Sequence, residues 1–364
     1  MGMEIRPFSE EWLGAVRAFN LRLRAAQLAE DMRLPENAAT ELLPGSELYI
    51  AVENGAVRGG YVLRQQQFYF GGEPNPVAHY RLPVSEGLVN KAYAMVGALM
   101  LRHALKMQPM LYALGMGSYE HPLARMLQAM KWSLCAVPFQ FRMVHAGRCL
   151  RQLGPLRQPN WRRVVVDIAA ATGVGGLGIQ AVQWTRTMRI PSGWKAESAG
   201  TFGKWADVVW QSCRADYRMI ALRDSETLER LYPASDPRFV RLRVSRRGET
   251  IGWAVLLDTA MHQDRYFGDL RLGTLVDCLA APADARAVTH AARVELERRG
   301  VDLIISNQGH SAWSWALREE GCWNGPSNFL FAASPQLVKL LTPFESAQRE
   351  LHLNRGDGDG PIHL

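Results

Sequence analysis

Apolar and polar positions follow one order of strand-like alternation and helix-like spacing in the first half of the chain, and the second half repeats that order. MEIRPF reads as a short strand, and residues 9–27 carry apolar side chains at helical spacing behind Ser9, a suitable N-cap. A short helix runs toward Leu43. Residues 47–70 form two alternating runs about Asn54-Gly55, a hairpin signal, and 77–85 a further strand. A helix over 90–107, a strand over 110–117, a helix over 120–130 and a closing strand over 134–144 complete the set.

The second half predicts helices over 202–213 and 225–232, and strands over 238–258 folded about Arg247-Gly248. A long strand over 267–280, a helix over 284–300, a strand over 302–307, a helix over 310–321 and a last strand over 327–333 follow. Pairing Gly55 with Gly248, Met110 with Asp302 and Lys131 with Gly321 gives offsets of 193, 192 and 190, a register that points to tandem duplication. The expected division is a first module over 1–148, a connector over 149–194, a second module over 195–345 and a tail over 346–364, with 355–364 (RGDGDGPIHL) loose.

Composition narrows the function classes. A chain of 364 residues with 48% hydrophobic and 21% charged residues holds two packed domains and little disorder. The net charge of +7 favours acidic partners, but the arginines are scattered and form no run interleaved with aromatics, which argues against nucleic acid. Five widely spaced cysteines without a CxxC pair fit a reducing, cytoplasmic setting, and no Cys/His cluster has metal-ligand spacing. Residues 164–182 contain a single charge between Trp/Arg-rich flanks and raise the prospect of membrane contact. Asp167 and Gly173, Gly175, Gly176 and Gly178 weaken that outline, and a buried connector is the preferred reading. The spacing Gly173-x-Gly175-x-x-Gly178 matches a dinucleotide fingerprint without the strand and helix that would give it meaning. Trp313, Trp315 and Trp323 read as core or interface aromatics.

The paired runs VENGAVRGGYVLR (52–64) and VSRRGETIGWAVLL (244–257), with the helical endings EHPLARMLQAMKW (120–132) and HSAWSWALREEGCW (310–323), resemble the GNAT-type N-acyltransferase superfamily. The resemblance covers 3–145 and 195–335 and implies two tandem α/β modules, each a mixed, mostly antiparallel sheet flanked by helices. It also implies an acyl-CoA co-substrate, its pyrophosphate over the turn from central strand to long helix, at Val84, Ser85, Gly87 and Leu88 in the first module. Neither that loop nor 280–288 carries the family's Gln/Arg-x-x-Gly-x-Gly/Ala pattern, and Leu127 and Leu317 stand where the family often has a tyrosine acid. Candidate bases are His79, Asp277 and His310, each with a structural role as the alternative. The implied reaction moves an acyl group to a small-molecule amine, such as an amino sugar or cell-envelope or exopolysaccharide precursor. The competing readings are a catalytically degenerate scaffold and a Fem-like, tRNA-dependent aminoacyl transferase.

Overall fold

The computed structural model describes residues 2–28, 32–153, 193–327 and 329–358, so the 164–182 segment and its glycine motif lie outside the described residues. The first half contains β1 (Glu4–Pro7), α1 (Leu13–Ala25), α2 (Ala38–Glu41), β2 (Ser46–Glu53), β3 (Ala56–Phe70), β4 (Glu73–Ser85), α3 (Val96–Met107), β5 (Leu111–Leu114), α4 (Pro122–Ala129), β6 (Ser133–Ala136), β7 (Phe139–Met143) and α5 (Ala146–Gln152). The second contains β8 (Trp194–Ser198), α6 (Lys204–Cys213), β9 (Met219–Ala221), α7 (Ser225–Leu231), β10 (Phe239–Arg246), β11 (Glu249–Ala260), β12 (Arg271–Ala280), α8 (Ala285–Arg298), β13 (Leu303–Asn307), α9 (Ser311–Glu319), β14 (Trp323–Gly325), β15 (Leu330–Ala333), α10 (Pro335–Leu340) and β16 (Leu351–His352).

These elements form two units. The first comprises Met1–Phe68, Pro74–Cys135 and Leu330–Phe344, and the second comprises Tyr69–Glu73, Ala136–Phe329 and Glu345–Leu364. In unit 1 the main strand order is β1-β2-β3-β4-β5-β15-β6, and in unit 2 it is β14-β7-β13-β12-β11-β10-β8. Each sheet has taken a strand from the other half of the sequence, since β15 pairs with β5 and β7 pairs with β13. The expected closing strand over 134–144 is therefore two strands in two sheets, broken at Val137-Pro138, where proline removes a ladder donor.

The duplication is visible in backbone detail. Asn54 and Gly55 both have positive φ (50° and 77°), as do Arg247 and Gly248 (52° and 89°), which gives both hairpins the left-handed turn that suits twisted strands. Helix α4 is capped by His121, whose Nδ1 accepts the Leu123 N–H at 3.3 Å, and α9 by His310, whose Nδ1 accepts the Ala312 N–H at 3.2 Å. Both helices end in a left-handed residue, Lys131 and Gly321.

In unit 1 the apolar stripe of α1 (Val16, Phe19, Leu23) packs with Ile50 and Val62, while Met100, Leu101 and Leu127 of α3 and α4 pack with Tyr61, Tyr80 and Leu111. In unit 2, Val209 and Trp210 of α6, Val288 and Ala292 of α8 and Trp313 of α9 join Trp253 and Leu279 in one core. The central hairpins require glycine at matching places. A Cβ on Gly59 would stand 2.8 Å from the Val84 carbonyl oxygen, and one on Gly252 would stand 2.6 Å from that of Leu279. Gly252→Val is expected to destabilise unit 2 by about 1–3 kcal/mol through overpacking, seen as a lower midpoint in thermal denaturation. Gly200→Ala, at a position where a new Cβ meets nothing within 4 Å, leaves the midpoint unchanged.

Candidate functional site

In each unit a central strand makes a parallel pair that runs only part of the length of its strands. In unit 2, β12 pairs with β13 from Leu272↔Leu303 to Leu275↔Ser306 and then continues to Ala280 without β13 beside it. The ladder between β11 and β12 shifts register at the same level, where Val255 faces Asp277 and Leu256 faces Leu275. Such a bulge bends the strand and re-aims its side chains. Buried backbone groups beyond the last pair must find partners.

The chain's own C-terminal segment supplies them. Gly309 N–H donates to the Leu353 carbonyl at 2.8 Å, and Gln308 and Asn354 form an isolated antiparallel bridge. Toward β12, His352 Nε2 donates to the Cys278 carbonyl at 2.8 Å, and Asn354 Nδ2 donates to Asp277 Oδ1 at 2.7 Å. The other edge of the segment pairs with β9, with Leu351 opposite Met219 and His352 opposite Ile220. The stretch expected to be a loose tail is thus buried as far as Gly358, and Asn354 and Asp357 close a capping box around its last turn.

Asp277 lies at the centre of this closure and is fully buried. Its Oδ2 accepts from Arg223 Nε at 2.7 Å and from the Tyr232 hydroxyl at 2.7 Å, and its Oδ1 accepts from Asn354 and from the Cys278 N–H at 2.9 Å. Arg223 Nη2 also donates to Asp357 Oδ1 at 2.5 Å. Burial alone would lower the pKa of this guanidinium, but Asp277 and Asp357 raise it above its ordinary value. A carboxylate holding four donors in a closed network has its acceptor capacity taken up, so Asp277 is a structural partner of Arg223. His310 is likewise accounted for as a helix cap that repeats His121. Burial, and then neighbouring His352, lower the His310 pKa to about 4, while burial lowers that of His352 to about 4 against the pull of Asp277.

In unit 1 the corresponding pair is shorter. Strand β4 pairs with β5 only at Ala78↔Leu111 and His79↔Tyr112, then runs on to Ser85. His79 stands at the last pair before the strands part. It is buried, and its ring stacks on Tyr112 with centroids 4.6 Å apart and planes 6° from parallel. Phe68 and Phe331 flank the Tyr112 ring, and the Gln66 amide donates to its hydroxyl. Arg64 on β3 and Arg81 on β4 are also buried.

The loop after β4 is folded tightly. Two short helical turns, Glu86–Leu88 and Lys91–Tyr93, precede α3. Glu86 is buried between Arg22 at 3.1 Å and Arg58 at 3.0 Å, and Arg58 also lies 4.4 Å from the centre of the Tyr93 ring. Val84 belongs to the α1 core, Ser85 makes no side-chain cap, Leu88 is exposed, and a Cβ on Gly87 would stand 2.6 Å from the Tyr93 carbonyl oxygen. Helix α3 begins with Met95 as an N-cap that makes no side-chain hydrogen bond, and its first turn has no acid. In unit 2 the matching position is Asp284, held at 2.6 Å by Arg246.

No protein-family model matches the chain, and no curated protein matches it in sequence. Solved structures do match it in three dimensions. A probable N-acyltransferase from Enterococcus faecalis aligns over 93% of this chain and 74% of its own with a TM-score of 0.53 and 11% identity. Saccharomyces cerevisiae N-myristoyltransferase with bound myristoyl-CoA and inhibitors aligns over 91% and 79%, with 0.52 and 11%, and a GCN5-related N-acetyltransferase from Anabaena variabilis over 91% and 72%, with 0.52 and 8%. The fold is that of the GNAT acyltransferases. At these identities the likeness is one of architecture, and it extends across both GNAT-like units.

Of the residues singled out from the sequence, His79, Val84, Ser85, Gly87 and Leu88 lie in the first GNAT-like unit, and Asp277 and His310 lie in the second. Sequence reading missed Arg223, His352, Asn354 and Asp357. The spacing Asn354-x-x-Asp357 was the available signal, since it is a capping-box pattern inside a stretch otherwise read as loose. Asp357→Asn, which removes one of two buried counter-charges from Arg223, is expected to destabilise the second unit by about 3–5 kcal/mol, measured by chemical denaturation. Both His310 and His352 are neutral when folded and protonate near pH 6.5 when unfolded. Stability of that unit is therefore full above pH 6.5 and falls progressively toward pH 4, and His310→Asn, which keeps a cap acceptor, makes the fall shallower in pH-resolved thermal melts.

Proposed function

We propose that this protein is an N-acyltransferase that takes an acyl group from acyl-CoA in its first unit and passes it to a small-molecule amine. The observation that carries the reading is the contrast between the two partings of parallel strands. The β12–β13 parting is filled by Leu351–Asn354, and the start of α8 carries the negative charge of Asp284, paired with Arg246. The β4–β5 parting opens at His79, and the uncapped, acid-free start of α3 follows it. Backbone groups of β4 beyond His79 are suited to the amides of a pantetheine arm, in the way that the C-terminal segment serves β12. The start of α3 is suited to the pyrophosphate, because unpaired N–H groups and the helix dipole favour negative charge there.

In this reading the amine nitrogen attacks the thioester carbonyl, the new C–N bond forms and the C–S bond breaks. The thiolate of CoA leaves, and the proton lost by the amine passes to His79, the titratable ring where the strands part. The similarity in fold to N-myristoyltransferase and to GCN5-related N-acetyltransferases supports acyl-CoA as the donor class. Amino sugars and envelope precursors lead the acceptor panel on family analogy.

Calorimetric titration with acetyl-CoA and longer acyl-CoAs tests the reading, with one donor site per chain expected. Ala94→Glu, at an exposed position just before α3, is expected to weaken donor binding at least about tenfold by repelling the pyrophosphate while the melting point holds. A substitution at Gly87 would not serve as a probe, because any side chain there strikes the Tyr93 backbone with or without a ligand. His79→Gln is expected to lower kcat by about 10²–10⁴-fold with donor affinity kept. Absence of acyl-CoA binding, or an unchanged kcat in His79→Gln, sinks the proposal.

A further inference from the structure

The outer face of α3 and the turns before it carry a surface that packing does not explain. Leu88, Val89, Met95 and Leu99 are 43%, 39%, 67% and 36% exposed. Met95, Leu99, Arg102 and Lys106 follow one another at helical spacing of four, three and four residues, so they form a single stripe, and all four are exposed. Lys91 is exposed between Val89 and Met95. The apolar half of the stripe lies at the start of the helix and the basic half toward its end.

The charge pattern around this stripe is one-sided. Between Glu86 and Glu120 the sequence holds Lys91, Arg102 and Lys106 and no aspartate or glutamate. Glu86 does not face the stripe as a counter-charge, since it is buried between Arg22 and Arg58. Glu120 is paired with Arg125.

We infer that this face of the first unit, formed by Leu88, Val89, Lys91, Met95, Leu99, Arg102 and Lys106, docks on the surface of a membrane rich in anionic lipid. Exposed apolar side chains flanked by lysine and arginine are the composition that lies in a lipid headgroup layer, with the apolar groups entering the acyl boundary and the cations held by phosphate. A second copy of this chain fits the same face poorly, because two-fold pairing sets Arg102 and Lys106 either against their own counterparts or against the partner's apolar half, with no acid on the face to receive them. The inference rests on surface composition; it shares the start of α3 with the proposed donor site, and its test reads vesicle binding and not acyl transfer.

The test is sedimentation of the full-length protein with vesicles of phosphatidylglycerol and phosphatidylcholine, compared with vesicles of phosphatidylcholine alone. Binding is expected only to the anionic vesicles and is expected to weaken as salt is raised. Each cation near an anionic surface contributes about fivefold to partitioning, so Arg102→Glu with Lys106→Glu lowers binding at least about 25-fold. Met95→Ser with Leu99→Ser lowers it as well, whereas Val208→Ser with Val294→Ser, at exposed apolar positions of the second unit, does not. All of these sites are exposed, and unchanged melting curves verify folding. Failure of the wild-type chain to bind anionic vesicles, equal binding to both vesicle types, or binding indifferent to the α3 substitutions overturns the inference. A concentration-dependent dimer abolished by Met95→Ser with Leu99→Ser also overturns it, in favour of a second copy.

Discussion

A guanidinium with almost no access to water sits between two carboxylates in the second unit, and much else there follows from it. An ion buried without partners costs several kcal/mol, so Arg223 requires both Asp277 and Asp357. Asp277 comes from the central strand and Asp357 from the end of the described chain, so satisfying this one charge ties the C-terminal segment to the strand that it covers. Tyr232 and Asn354 complete the shell around Asp277. The segment also supplies the partners that β12 and β13 lack once they part, so one set of contacts solves both the charge problem and the backbone problem.

The two units differ in how a shared constraint is met. Both have a glycine where hairpin backbones nearly touch, both cap the later helix with histidine, and both contain a parallel pair that ends early. In one, the early ending is closed by polypeptide and the neighbouring helix start carries its own acid. In the other, a stacked histidine marks where the pair ends and the helix start is left without an acid. Repeats that diverge in this manner keep the scaffold and change what occupies it.

Most of the scaffold was legible because it depends on local patterns. Asn54-Gly55 and Arg247-Gly248 marked their hairpins through the left-handed turn each requires. The near-constant offset between halves marked the duplication. Strand partners were not legible, since alternation says that Phe139–Met143 and Leu330–Ala333 are strands without saying which sheet each joins. The break between β6 and β7 was read through as one strand, although Pro138 was the available signal. Of the candidate site residues, Asp277 and His310 have chemistry suited to catalysis and positions suited to architecture, a distinction that depends on Arg223 and Asn354, which are distant in sequence. His79 was legible as a residue of the central strand, but its burial against Tyr112 was not.

The exchange of strands also sets a timetable for biosynthesis. Strand β6 leaves the ribosome with the first half of the chain, but its neighbour in the sheet, β15, is encoded roughly 200 residues later. At about 5–20 residues per second this gap lasts roughly 10–40 s. Throughout that interval β5 and β6 have no strand between them, and β5 presents an open edge that any extended segment could occupy. The second half of the nascent chain is therefore synthesised beside an incomplete sheet, and its arrival in the correct order is part of how the first unit comes to be folded at all.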